Sequence, residues 1–414
     1  MSINEILTIT IVLTAIFAYV NHRLIKWPPT IGIMVLSLLS SIVLAVFGKS
    51  HSVLSDKAVQ LASSIDFQDV LMNFMLSFLL FAGAIHINAR KLKKERWPVL
   101  VLSTLGILIS TTLVGGMTWG LFGLFHLPIP FIYCLLFGAL ISPTDPIAIL
   151  AILKEAKIPS SLELKISGES LFNDGVAVVV FVTLLDAART GVSTVDFLTV
   201  GKLFLQEAVG GLLFGALLGY IGYYALRSID DYKVEVLVTL AIVMGGYLIA
   251  SHLHVSGPLA MVVAGIITGN KVKDEALSDT SRDYLDKFWE LVDEILNAIL
   301  FLLIGLEMLI IKINIMVLII GGLSILTVLL ARWVSVFFPV LLLRFKIKFE
   351  KHAVAILTWG GLRGGLSVAL ALSLSPAMHR DEFALITYMI VVFSILVQGL
   401  TIGRVVKRLQ RPVK

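Results

Sequence analysis

The sequence predicts an all-α polytopic membrane protein with about thirteen transmembrane helices. Three observations predict it: an excess of apolar residues, their arrangement in membrane-length blocks, and an alternation of basic and charge-poor loops. Of the 414 residues, 58% are hydrophobic and 15% are charged. A soluble domain carries about 45–50% apolar and about 25% charged residues. The apolar residues fall in blocks of about 17–30, the length that crosses a hydrocarbon layer as helix. The short alternating segments of a membrane β-barrel are absent.

In order, the blocks lie near 5–22, 29–47, 67–87, 97–125, 131–152, 164–186, 197–226, 234–252, 256–270, 286–310, 313–343, 351–375 and 382–403. The first follows Glu5 and has no basic lead, so no cleavable signal is expected. The second to fourth are long apolar runs, the third ending in Phe81-Ala82-Gly83-Ala84-Ile85-His86. The fifth is interrupted by Ser142-Pro143-Thr144-Asp145-Pro146, and the sixth carries Glu169 and Asp174 in its interior. The seventh is long enough to tilt and rich in small residues (Gly210, Gly211, Gly215, Gly219, Gly222), a pattern that favours close helix packing. The eighth ends at His252, and the ninth, from Ser256 to Asn270, is short. The tenth has Asp293 and Glu294 in one half and Glu307 near the other end, where Glu307 is expected to be solvated. The eleventh encloses Arg332, the twelfth holds Trp359-Gly360-Gly361-Leu362-Arg363-Gly364-Gly365, and the thirteenth closes the set.

Positive charge tests the count, because cytoplasmic loops collect Lys and Arg. One set of alternate loops holds 25 of them, including Arg90, Lys91, Lys93, Lys94 and Arg96; the other set holds 6. A wrong number of spans would scramble that contrast. The N-terminus is therefore expected outside and the C-terminus in the cytoplasm, in a cell (inner or plasma) membrane. The net charge of +5 resides in these loops, so no nucleic-acid partner is expected. The single cysteine, Cys134, excludes a disulfide framework and a cysteine metal site. No soluble regulatory domain is expected.

The fifth and twelfth blocks look like broken helices. Pro143 and Pro146 remove backbone donors on either side of Thr144-Asp145. Four glycines around Arg363 weaken the helix and let backbone approach closely. Seven spans apart, the two blocks cross the membrane in opposite directions, as an inverted repeat of spans four to six with eleven to thirteen requires. Transporters build their sites at such paired interruptions near the midplane.

Asp174 lies midway along the sixth block. A charge at that depth costs about 2.5–3.5 kcal/mol on insertion scales, so it faces a wet cavity or a partner. Helical spacing places Ser170 one turn from Asp174, and Glu169 one turn from Asn173. Asp145 sits at similar depth. Arg363 is the evident buried cation, and the simplest arrangement pairs it with Glu169 and leaves Asp174 free to hold a proton or a cation. The hydroxyls of Thr144 and Ser170, with carbonyls freed by Pro146, would complete an oxygen shell that suits alkali cations and not transition metals.

At these residues the chain resembles the monovalent cation:proton antiporter-1 family, the sodium/proton exchangers. The matching strings are SPTDPIAILAILKEAKIP, ISGESLFNDGVAVVVF and WGGLRGGLSVALAL. The resemblance implies the sodium/proton antiporter-like fold: inverted repeats with two broken, crossing helices in one membrane transport domain. A core bundle, about 97–186 and 313–403, would move against the remaining helices, which form the dimerisation scaffold of a homodimer. It implies Asp174 as the ion- and proton-binding carboxylate beside Asn173, with Ser170 and Thr144 as Na+ ligands and Asp145 on the crossed fifth helix. Glu169 and Arg363 would form a structural ion pair, with Asn173 bridging toward it. The expected activity is exchange of Na+ or Li+ for H+, one to one and electroneutral, with membrane lipid as surroundings and no cofactor beyond the transported ions. Many members carry an acidic residue near the end of the third span; here that stretch has none and ends at His86.

Three other functions share some of these features. A K+/H+ antiporter would use the same ligand types. An intramembrane aspartyl hydrolase would need Asp145 and Asp174 to share a proton, and the rest of a substrate site is missing; an enzyme is not expected. A cation channel would want repeated polar rings around an axis, whereas this chain gathers its polar residues at one internal place.

Overall fold

A computed structural model describes residues 3–47, 59–61, 63, 67–145, 159–189 and 197–409. Every regular element among them is helical. The long helices are α1 (Ile3–Val20), α2 (Pro29–Phe47), α3 (Leu76–Ile85, entered through a π turn at Val70–Met75), the short α4 (Ala89–Lys94), α5 (Arg96–Leu124), α6 (Phe131–Ile141) and α7 (Ser160–Arg189). After them come α8 (Phe197–Arg227), α9 (Tyr232–His252), α10 (Gly257–Ile267), α11 (Asp279–Glu307), α12 (Ile315–Leu343), the half-helices α13 (Ala353–Trp359) and α14 (Gly365–Leu372), α15 (Arg380–Phe393) and α16 (Leu400–Leu409). Among the described residues, seven helices are long and apolar enough to cross a membrane, and shorter apolar helices occupy 29–44, 70–85, 131–141 and 257–272. This is a multi-pass membrane protein.

Local sequence sets the ends of these helices. Ser256 starts α10 by accepting the Leu259 N–H at 3.3 Å, with Pro258 in the first turn, where its missing donor costs nothing. Ser278 caps α11 by accepting from Ser281 N. Helix α6 ends at Ile141, with Ser142 still in helical geometry (φ −77°, ψ −32°), just before Pro143, which has no N–H with which to continue the hydrogen-bond ladder. Pro146 lies outside the described residues. The α13–α14 interruption runs from Gly360 to Gly364, where Gly364 is extended.

Packing joins α5 to α12, α6 and α7, α12 to α15, and α14 to α15. Elsewhere α8 packs on α10, α11 on α2, and α10 on α3. Helix α7, which carries Asp174, touches members of both sets through α8 and α10.

Candidate functional site

The two interruptions meet. Asp145 N donates to Leu362 O at 2.8 Å, so the first break is hydrogen-bonded directly to the second. A Cβ on Gly364 would collide with the Asp145 carboxylate, and one on Gly361 with the Arg332 guanidinium. A side chain at either position would have to displace one of these charged groups.

Several of the freed backbone groups have identified partners. Arg363 Nη1 donates to Pro143 O at 2.8 Å and to Ser142 O, the carbonyls left open where α6 stops. A cation at a helix C-terminus also meets the negative end of the helix dipole. The last span supplies the rest through a π turn, Ser394–Gly399. Ser394 Oγ accepts from Arg363 N at 2.9 Å, and Gln398 Nε2 donates to Trp359 O at 3.1 Å. Such π turns appear in helices chiefly where local geometry serves a site.

This arrangement corrects the expected ion pair. Glu169, 1% exposed, takes its charged hydrogen bond from Arg332 Nη1 at 2.5 Å, and Arg332, 6% exposed, also donates Nη2 to Leu357 O at 3.1 Å. Arg363 is not the direct partner, because its guanidinium is committed to the α6 carbonyls. Asn173 also differs from expectation. Its Nδ2 donates to Thr144 Oγ1 at 2.8 Å and its Oδ1 accepts Thr144 N at 3.3 Å, so it clamps the first break to α7 instead of bridging to the ion pair.

Thr144 and Ser170 come together with hydroxyl oxygens 2.9 Å apart. Asp174 is one turn further along α7 and lines a cavity of about 1020 Å³ with Thr144 and Asp145. It makes no hydrogen bond or ion pair among the described residues. Opposite stands one face of α11: Asp286, Glu290, Asp293, Glu294 and Asn297. Their spacing, i, i+4, i+7, i+8 and i+11, would have revealed a polar, mostly acidic stripe in the sequence. Asn297 Nδ2 donates to Asp293 Oδ1 at 3.1 Å. No group of three or more His, Cys, Asp or Glu side chains is arranged to hold a metal ion among the described residues.

At the open end, His86 follows the last turn of α3, with Nδ1 3.7 Å from Asp286 Oδ1. Asp286 also pairs with Lys273, so α11 supplies a carboxylate close to where the third span lacks one. Glu307, expected to be solvated, is only 8% exposed. Below α7, Lys165 is 1% exposed and pairs with Glu95 at 3.2 Å and Glu350 at 3.0 Å. Ser161 also donates to Glu350. This cluster ties the start of α7 to the α4–α5 turn and to the segment before α13.

The profile of the family described as "Sodium/hydrogen exchanger, transmembrane" matches residues 11–408. The chain is 48% identical over 409 residues to the Na(+)/H(+) antiporter NhaP of Pseudomonas aeruginosa, covering 96% of this chain and 95% of that protein. It is 33% identical to the Na(+)/H(+) antiporter NhaH of Halobacillus dabanensis, covering 94% and 93%. In fold it resembles the sodium proton antiporter MjNhaP1 of Methanocaldococcus jannaschii, with a TM-score of 0.76 at 20% identity over 97% of each chain. The meeting of the end of α6 with the α13–α14 interruption, the profile match over residues 11–408 and these relatives together make this chain a member of the transmembrane sodium/hydrogen exchanger family.

Proposed function

We propose that this protein is a secondary active antiporter that exchanges Na+ for H+, one for one, by alternating access. The observation that carries the reading is Asp174, a carboxylate without a protein partner among the described residues, at the wall of a large cavity and one turn from the Thr144–Ser170 hydroxyl pair. A carboxylate held away from bulk water is stable only with a proton or a cation upon it. Na+ would take oxygens of Asp174, Ser170 and Thr144, hard ligands that suit an alkali cation. Proton and Na+ then compete for one group, and that competition couples the two fluxes.

Asp145 lies on the same cavity and contributes negative potential near the ion. The α11 carboxylates draw cations into the mouth by the same field. Arg332, Glu169 and Arg363 hold the crossing without exchanging protons. The bundle of about 97–186 and 313–403 moves against the other helices, which form the homodimer scaffold. The N-terminus is outside, and the cavity opens to the cytoplasm beside the basic Arg90–Arg96 segment.

The test is proton flux in sealed vesicles containing the purified protein, with Na+, Li+ and K+ gradients compared. Flux driven by Na+ or Li+ and absent with K+ is expected. Flux only with K+ would reassign the cation, and no coupling to any alkali gradient would end the antiporter reading.

A further inference from the structure

Two guanidinium nitrogens where the breaks meet have no protein acceptor among the described residues: Arg332 Nε and Arg363 Nη2. Both side chains are more than nine-tenths buried. Both also line one small cavity of about 10 Å³, together with Gly361, Gln398 and apolar residues such as Val328 and Ile390. Gly361 matters here, since a Cβ in its place would press on Arg332 Nε. A buried donor left unpaired loses its full hydration, so two facing one small space call for a shared acceptor.

The volume decides the occupant. A water needs about one probe sphere of space, roughly 10–15 Å³, and two to four polar partners. Arg332 and Arg363 each bring to this cavity a donor nitrogen without a protein acceptor among the described residues, and Gln398 has spent its Nε2 on Trp359 O, which leaves its side-chain oxygen as an acceptor. A halide would answer to two guanidinium groups, but it is larger than water, and Arg332 already has the Glu169 carboxylate.

We infer that a single water molecule is bound between Arg332 and Arg363. Its oxygen accepts from Arg332 Nε and Arg363 Nη2, and one of its protons goes to Gln398 Oε1. The water completes a continuous chain: the Ser142 and Pro143 carbonyls, Arg363, water, Arg332 and Glu169. That chain joins the end of α6 to α7 across the second break, so the two interruptions and the helix bearing Asp174 move as one hydrogen-bonded unit. The water acts as a hinge pin between two like charges, and its presence does not depend on which cation is carried.

The test is a density map of the intact protein in lipid nanodiscs, at a resolution where other buried waters are seen. A peak at about 2.7–3.2 Å from both Arg332 Nε and Arg363 Nη2 is expected. The variant Gln398→Met keeps the volume and removes the acceptor, and its map should lose the peak while both guanidinium groups stay in place. An empty cavity in the parent map overturns the inference. So does an anomalous bromide peak at that position after halide exchange, which would make the occupant an anion. A peak that survives unchanged in Gln398→Met removes Gln398 from the site and overturns the assigned ligand set.

Discussion

Replacing Arg332 with alanine should destabilise the protein far more than its position inside an apolar span suggests. The change removes the 2.5 Å bond to Glu169 and the 3.1 Å bond to Leu357 O. It strands a carboxylate that is 1% exposed and a carbonyl at the second break. Removing one partner of a buried pair costs about 3–5 kcal/mol, because the other charge remains without compensation. The lost carbonyl partner adds about 1–3 kcal/mol if no water replaces it. The assay is a double-mutant cycle on thermal midpoints in detergent, at one scan rate, with Glu169→Gln, Arg332→Ala and the double variant. Glu169→Gln should rescue much of the loss, giving a coupling of several kcal/mol. The parallel cycle of Glu169→Gln with Arg363→Ala should give a smaller coupling, because Arg363 bonds to the Ser142 and Pro143 carbonyls. If the Arg363 cycle shows the larger coupling, the assignment of Arg332 as the direct partner is wrong.

Asp174→Asn should abolish exchange while leaving membrane insertion and thermal stability close to the parent, since Asp174 has no protein partner to lose among the described residues; exchange by the purified variant in liposomes would remove Asp174 from the mechanism. Because protons compete with cations for Asp174, acid should raise the apparent KM for Na+ and change the maximal rate less, as initial rates at several pH values would show; a maximal rate that collapses at constant KM would point to a separate switch. One-for-one exchange moves no net charge, so a term of roughly 2.3 kcal/mol per 100 mV should be missing, and rates in liposomes clamped with potassium and valinomycin should not follow the imposed potential. At Glu350, burial pushes the carboxyl up, but the Ser161 hydroxyl, a backbone N–H and Lys165 outweigh it and hold the group below its ordinary 4.5. A depressed carboxylate contributes stability above its unfolded value and loses it as pH falls through the folded one. Glu350→Gln should therefore melt below the parent at neutral pH, and the gap should close below about pH 4.5; a gap that stays constant would exclude this carboxylate as its source.

Much of the architecture was legible because the relevant physics is local. A block of apolar residues reports membrane burial by its own length, and Pro143 or the run from Gly360 to Gly365 reports an interruption by what each residue does to its own turn. Depth and residue type single out Asp174, Asp145 and Thr144 in the sequence, and all three line one cavity. The acidic face of α11 was present as a helical spacing in the sequence, but only the fold turns that face toward Asp174. Glu307 shows the opposite failure, since nearness to a helix end does not determine what packs over it.

The sequence by itself determined the class of protein, the two broken helices and the short list of charged groups that must be accommodated between them. Only the tertiary structure decided the pairing. Glu169 has two buried arginines to choose from, both in the other half of the repeat pair, and neither hydropathy nor spacing ranks Arg332 against Arg363. The end of α6 makes the choice: its open carbonyls capture Arg363, and Arg332 is left within 2.5 Å of Glu169. A strand of sequence can announce that a buried charge needs a partner, but partners 163 residues apart are selected by the directions in which packed helices point their side chains.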